Sequence, residues 1–442
     1  MDIVNTLRLN SNPKIEIDFS GGTLSSDSGL FLMKEFLYQI GFLDILNKYF
    51  ATTDPASYRI HTDVENLLQA LYQIFAGYFE DDRADKLVSE PVITACVGKD
   101  YLASQPTMSR FFNRLDEKTL DQFNEILRQL RKLIYRITGA PNHVVFDIDT
   151  TLLNTYGNQE GAAWNYHYQD DGYHPQLCFD YVTGDLIKVQ LRKGTQYCST
   201  GIAEFMKSIF EEYTKDYPYT HLMLRGDSGY AAPELYELCE QYGVCYVIRL
   251  KENTRLKALA ADLDDKLTEQ TRENMISYSE VFGEFMYQAN SWSKPRRVIC
   301  KIEKPKDSME HRFTFVVTNI TSPEELVIKI YCGRGAMENF IKECKNDFDF
   351  AAVSSKSMVV NDNRLQIHGL AYTLFNYMRR LVLPAHLIKA RMETIRLNLI
   401  KIASRVVRHG RRLLYRLCSS CPHQDEFVEI MNNIHNLHPK AI

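Results

Sequence analysis

Tyr331, Arg334, Glu338 and Lys345 stand at offsets 0, 3, 7 and 14 within one short segment. At about 100° per residue in an α-helix, those offsets fall at roughly 0°, 300°, 340° and 320°, inside one narrow sector. A lone carboxylate flanked by cations on such a stripe suits a site where the acid holds a metal ion and the bases hold phosphates. A solvated helix face carries the same pattern. Gly333 and Gly335 place the start of the helix near Gly335 and leave Tyr331 on the approach to it.

Further acids sit where strands should end. His143 to Thr151 is a short apolar run closing on Asp147 and Asp149, which a period of two puts on one side. Two carboxylates at one strand end repel each other unless a metal or a proton compensates them. Leu222 to Tyr230 is a second such run, reaching Asp227 at a glycine-flanked turn. Carboxyl ends of strands are where α/β sheets carry their sites.

The elements that must position these acids follow from periodicity. Strands are expected at Gln176 to Tyr181, Ile187 to Leu191 and Val244 to Leu250, with helices at Thr200 to Tyr213 and Pro233 to Tyr242. Residues 252–325 carry alternating, β-rich runs at Met275 to Phe282, Glu284 to Ala289, Arg297 to Glu303 and Arg312 to Thr318, which read as an inserted β subdomain. Before the first acid the chain is helical, after a short strand at Ile15 to Phe19. Helical spacing covers Leu30 to Phe50, a capping box at Thr62 to Glu65 opens Asn66 to Phe79, and a helix at Leu120 to Thr138 closes the region. Within it, Ser104 to Leu115 puts Met108, Phe111, Phe112 and Leu115 on one face and Thr107, Arg110 and Arg114 on the other. That split serves a helix-turn-helix recognition helix, with Arg110 and Arg114 toward DNA, as well as a plain bundle helix. After the helix Leu365 to Leu381, residues 389–416 hold nine Lys or Arg against the single acid Glu393 and fit an amphipathic basic helix, with Arg408 and Arg412 as candidate DNA contacts.

Bulk properties set the bounds. With 442 residues, 45% hydrophobic and 24% charged, the chain is long enough for several folded domains and unlike a disordered one. The net charge of −4 excludes a uniformly basic surface, so any nucleic-acid face must be local. Ten scattered cysteines fit reduced thiols in a cytoplasm, and Cys418 and Cys421, one CxxC without a second pair, read as structural. No apolar run is long enough to span a membrane and Met1 opens a polar segment, so a soluble, unexported protein is expected.

Asp149, Asp227 and Glu338 together resemble the acid triad of a DDE transposase. Tyr331, Arg334, Glu338 and Lys345 match the Y-(2)-R-(3)-E-(6)-K signature of bacterial insertion-sequence transposases, and the chain looks like the insertion-sequence thirteen-eighty group, related to piggyBac-type enzymes. The likeness also runs through Ala76 to Tyr78, Ser104 to Arg110, Asp147 to Thr151, Asn165 to Tyr168 and Arg225 to Gly229. The resemblance implies an α/β fold: an RNase H-like catalytic core interrupted by a β-rich insertion, with an all-α N-terminal DNA-binding domain and a helical C-terminal region. Expected boundaries are 1–140, 141–251, 252–325, 326–385 and 386–442. It further implies cut-and-paste transposition with two Mg²⁺ ions, Mn²⁺ being able to substitute, held by Asp149, Asp227 and Glu338. Arg334 and Lys345 would grip phosphates beside Tyr331. The partners implied are double-stranded DNA, as terminal inverted repeats and target, and a second copy in a synaptic dimer, in a bacterial cytoplasm at the nucleoid.

Asp149 directly precedes Thr150-Thr151, as the first acid does in relatives, with Asp147 as the reserve. Trp292 is the candidate in the insertion for holding a flipped base. Two other classes compete. Val144 to Thr151 also resembles the nucleophile motif of haloacid-dehalogenase phosphatases, with Asp147 forming a phospho-aspartate. A catalytically inactive DNA-binding regulator would use the N-terminal helices alone.

Overall fold

The computed structural model describes residues 6–54, 56, 58–272, 277–306, 308, 310–410 and 412–437. Met1, Met275 and Arg411 lie outside them. The chain divides into two compact units, one of residues 1–137, 343–352 and 359–442, the other of residues 138–342 and 353–358.

The first unit opens with an exposed antiparallel pair, β1 (Leu7–Leu9) and β2 (Asn12–Ile17), and a short β3 (Leu24–Ser25). The apolar run after it makes two helices, α1 (Leu30–Gln39) and α2 (Phe42–Tyr49), because Gly41 at φ 67° breaks the helical path. In α3 (Asp63–Ala76) the capping box forms: Glu65 N–H donates to Thr62 Oγ1, and the Glu65 carboxylate accepts from Thr62 N–H. Then come α4 (Arg83–Leu87), α5 (Pro91–Val97), α6 (Gln105–Asn113) and α7 (Glu117–Thr138).

The second unit is built on one eight-stranded sheet. Its elements are β4 (His143–Thr150), β5 (Leu153–Asn154), β6 (Ala163–Asn165), β7 (Asp170–Tyr173), β8 (Gln176–Asp180), β9 (Leu186–Gln190), α8 (Ile202–Asp216), β10 (His221–Gly226), α9 (Pro233–Gln241) and β11 (Cys245–Leu250). They continue through α10 (Thr254–Leu259), α11 (Ala261–Thr271), β12 (Ser279–Tyr287), β13 (Arg296–Lys304), β14 (Arg312–Thr318), α12 (Glu324–Cys332), a 3₁₀ turn at Gly333–Gly335, and α13 (Ala336–Asp347). The strand order is β12-β13-β14-β11-β10-β4-β8-β9, with β4, β10 and β11 parallel and the other pairings antiparallel. β5, β7 and β6 form a small sheet of their own.

The β-rich insertion expected at 252–325 joins the central sheet. From Ser279 on the alternating runs are strands; β14 pairs with β11 and so extends the central sheet, and two helices, α10 and α11, precede them. Arg249 and Leu250 pair with Val316 and Phe315, so backbone hydrogen bonds cross the expected boundary at 251.

The first unit resumes with the second half of α13 and with α14 (Met358–Val382), a helix of 25 residues buried along almost its whole length. A helix buried all round must pair its polar groups internally. Thr119 Oγ1 donates to Asn363 Oδ1 at 2.6 Å, Arg364 bonds Asp81 at 2.9 Å, and Arg379 bonds Glu343 at 2.9 Å.

Next come α15 (Met392–Ile395) with a π turn at Arg396–Ile400, then β15 (Ser404–His409), β16 (Arg412–Leu417) and α16 (Gln424–His435). The expected basic helix over 389–416 is therefore mostly a β-hairpin. Gly410 at φ 61° ends any helical path, and the paired Val406 and Val407 favour the extended chain. Arg408 and Arg412 lie on opposite strands of this hairpin, both exposed.

Candidate active site

All three candidate acids lie in the second unit. Asp149 comes from β4, Asp227 from the turn after β10, and Glu338 from the first turn of α13. β4 and β10 are parallel neighbours, Arg225 standing opposite Asp147, so their carboxyl ends open on the same edge. There Asp149 Oδ1 accepts from Thr150 N–H at 2.8 Å, and Asp227 Oδ1 accepts from Gly229 N–H at 2.8 Å. Glu338 is exposed.

The two neighbouring acids of β4 have separate fates. Asp147 is fully buried and both its oxygens are held by Arg225, Nε and Nη2 each at 2.7 Å. With no free oxygen and no exposure, it cannot meet a substrate as a phospho-aspartate nucleophile must. Arg225 also stacks 4.1 Å from the Tyr181 ring centre and donates from Nη1 to the Ile330 carbonyl at 2.6 Å. The buried pair thereby ties the end of α12 to the sheet. Gly333 is needed at this crossing, because a Cβ there would stand 2.7 Å from Arg225 Nη1 and 3.3 Å from the Tyr181 hydroxyl.

Asp149 is the acid left partly open. Burial, first, pushes its carboxyl up to about 6; the charges of Asp227 and Glu338 add to the rise, while Arg334 and the Thr150 N–H oppose it. Arg334 Nη2 reaches Asp149 Oδ2 at 2.7 Å. Burial disfavours the guanidinium charge, yet Asp149, Asp227, Tyr331 and Asp147 outweigh it and hold its pKa above the ordinary value. Arg334 Nε is buried without a hydrogen-bond partner among the described residues, an unfilled donor beside the acids.

Tyr331 does not lie on a loop. It sits in the last turn of α12, and the 3₁₀ turn at Gly333–Gly335 carries the helical path on into α13. Val327 and Ile328 of α12 pack on Val247, Ile299 and Val316 of the sheet, with Tyr331 at the edge of this cluster. Half-buried, its phenol is raised above its usual value by burial first and also feels Arg334, Arg249 and Asp227. Lys345 lies two turns beyond Glu338 on α13 and is half-buried, its ammonium lowered by that burial.

Further neighbours stand outside the acid and cation pattern of the sequence, Tyr168 within the Asn165 to Tyr168 likeness. The Tyr168 hydroxyl donates to the Thr150 carbonyl at 3.2 Å; burial first, then Asp149, Cys198 and Asp227, push it up to about 12. Cys198 Sγ is 3.6 Å from Thr150 Oγ1. Arg249, whose charge Tyr331 feels, stands near the carboxyl end of β11 and could have been found by the strand-end rule that picked out Asp227.

The acids have the hard oxygen donors that Mg²⁺ takes, and Asp149 carries the kind of raised carboxyl that a cation relieves. Among the described residues no three His, Cys, Asp or Glu side chains lie close enough to enclose an ion as they stand, and Arg334 holds one oxygen of Asp149. The donor set thus fits a divalent ion in chemical type, with a guanidinium as its present counter-charge.

The remaining candidates lie apart from the acids in function or in chain. Trp292 is 6% exposed, enclosed by Tyr236 at 5.3 Å, Tyr287 at 5.4 Å and Arg296 at 5.6 Å, so its ring has no face for a base. In the first unit α6 buries Met108 and Phe111 as expected. Arg110 is exposed, its Nη2 3.2 Å from Thr107 Oγ1. Arg114 instead bonds Asp63 at 2.8 Å with Asp54 at 3.4 Å, which removes it from the outward face. Ser104 is the N-cap by position, but its hydroxyl makes no capping bond. Cys418 is exposed beside Ser420, at the turn before α16. Among the described residues no helix is long and apolar enough to cross a membrane.

A family model described as transposase DDE domain, group 1, matches residues 7–439. No curated protein matches the chain. Among solved structures, the chain is similar to a piggyBac transposase synaptic complex with hairpin DNA, at 14% identity over 94% of this chain and 86% of that one, with a TM-score of 0.42. It is also matched, at 14% identity over 47% of this chain and 92% of the other, to a chain of a simian T-cell lymphotropic virus intasome in complex with a PP2A regulatory subunit, at a TM-score of 0.17.

Proposed function

Since the chain belongs to the transposase DDE domain group 1 family, we propose that it performs cut-and-paste transposition of an insertion sequence of the thirteen-eighty type, cleaving DNA strands at terminal inverted repeats and joining them to target DNA. The observation that supports the assignment of residues is that Asp149 and Asp227 close the parallel neighbours β4 and β10, with Arg334 on Asp149 at 2.7 Å; the Asp149 carboxyl is raised first by burial and then by the charges of Asp227 and Glu338. The three acids come from three separate elements, β4, the turn after β10 and α13. The strand order supports the RNase H-like expectation: β4, β8 and β9 form an antiparallel meander, and β10 and β11 follow as parallel strands beside β4.

Asp149, Asp227 and Glu338 would hold two Mg²⁺ ions, or Mn²⁺ in their place. Bound there, the ions would supply Lewis-acid stabilisation to the attacking and leaving oxygens of a phosphodiester. Arg334 offers the scissile strand a buried, unfilled Nε–H donor, and the α12 and 3₁₀ geometry holds it beside Asp149. Tyr331, packed at the edge of the apolar cluster under α12, would line the approach, and Lys345 would contribute positive charge further along α13. Arg110 on α6 is the outward cation of the recognition-helix candidate. The enzyme would work as a synaptic homodimer in the bacterial cytoplasm.

The test is cleavage of duplexes carrying the DNA that flanks the reading frame, in the presence of Mg²⁺. Asp149→Ala, Asp227→Ala and Glu338→Ala should each abolish cleavage while binding persists. Cleavage that survives all three changes overturns the assignment.

A further inference from the structure

The hairpin β15–β16 carries charge in an arrangement that costs stability unless something anionic meets it. Between Ser404 and Leu417 there is no acid. The register sets Arg405 opposite Arg416, and His409 opposite Arg412, with Val407 and Leu414 between them on the same face. Like charges directly across a strand pair repel. Arg405, Arg408, Arg412 and Arg416 are all exposed, and none has an ion-pair partner among the described residues.

The opposite face fixes the base. Ser404 is buried, and the Tyr415 ring packs edge-on to Phe31 at 4.7 Å while its hydroxyl donates to the Pro91 carbonyl at 2.9 Å. Just before β15, Lys401 bonds Asp27 at 2.6 Å. β3 pairs with β15 at Ser404 and Arg405, so the base is three-stranded, and from Val406 to His409 β15 runs on with β16 alone as a two-stranded ribbon about 13 Å long. A two-stranded ribbon is one of the two elements that the major groove of B-DNA admits.

We propose that β15–β16 is a major-groove ribbon, with Arg405 and Arg416 on phosphates at the groove walls and His409 and Arg412 entering at its tip. This rests on the DNA reading of the chain. An RNA or an acidic protein surface would meet the same charges, but duplex DNA is favoured by the match of ribbon to groove.

The experiment measures binding of the full chain to a labelled 30-base-pair duplex of arbitrary sequence across a salt series. Each phosphate contact contributes a slope of about 0.9 in log K against log salt. The double variant Arg405→Gln, Arg416→Gln should therefore lower the slope by about 1.8, and the Lys double variant should restore it. Its melting temperature should equal or exceed that of the unaltered protein, since the cross-strand repulsion is gone. Methyl green, which occupies the major groove, should compete with the protein for the duplex, and netropsin in the minor groove should not. An unchanged slope in a folded Gln double variant, competition by netropsin alone, or preferential loss of binding to a single-stranded RNA probe overturns the ribbon proposal and leaves the transposase reading standing. Failure of the unaltered chain to bind duplex at any salt overturns both.

Discussion

Replacing Asp149 with Asn should stabilise the protein while abolishing its chemistry. The carboxyl is shifted from the ordinary 3.8 to about 6, with burial as the first cause and Asp227 and Glu338 adding to it. A carboxyl raised on folding contributes stability that is fully present below its unfolded pKa and lost as the pH climbs through the folded value. For Asp149 that window runs from about 4 to about 6. At about 1.4 kcal/mol per unit, the ionised side chain above the window costs on the order of 3 kcal/mol. Asparagine keeps the shape and never ionises, so Asp149→Asn should melt several degrees higher than the unaltered protein at pH 8, given about 2–4 °C per kcal/mol for a unit of this size. The gain should shrink through pH 6 and vanish near pH 4. Thermal unfolding of both proteins from pH 4 to 8, without divalent ions, reads it directly. Adding Mg²⁺ at pH 8 should then raise the melting point of the unaltered protein more than that of the variant. A difference that is constant with pH, or a variant less stable at pH 8 than at pH 4 relative to its parent, would refute the electrostatic account.

Two further outcomes test how the site is held. Asp147→Ala should lower unfolding free energy by about 3–5 kcal/mol, because it strands Arg225 as an unpaired buried charge; urea unfolding that matches the unaltered protein would show the pair to be dispensable. Gly333→Ala should cost about 1–3 kcal/mol by forcing apart Arg225 and the end of α12, and should lower cleavage as well. Gly335→Ala, with nothing within 4 Å of the new Cβ, is the control and should behave as the unaltered protein in both urea unfolding and cleavage.

Much of this site was legible because its parts are local. Apolar runs that stop at an acid mark strand ends, and β4 and β10 form where those runs lie. The capping box at Thr62 and the apolar stripe of α6 are likewise local signals that tertiary packing left intact. What stayed hidden depends on partners far along the chain. Nothing near Asp147 in sequence shows that Arg225 will claim it, and nothing near Arg114 shows that Asp54 and Asp63 will. Residues 404–417 carry apolar positions that satisfy a helical stripe as readily as a hairpin, and only Gly410 with the β-branched Val406 and Val407 tips the balance. The β-rich run before α12 declared its strands but not its sheet, since strand periodicity says nothing of which edge a strand will join.

The tie from Asp147 through Arg225 to the Ile330 carbonyl has a consequence for reading mutational scans of this protein. Activity alone would score Asp147 and Asp149 as equally intolerant, two positions apart on one strand. Their losses would differ in kind: the first would be recovered by lower temperature or by stabilising substitutions elsewhere, the second by neither. On the proposed reading, a suppressor screen, more than an alanine scan, separates the residue that builds this site from the one that works in it.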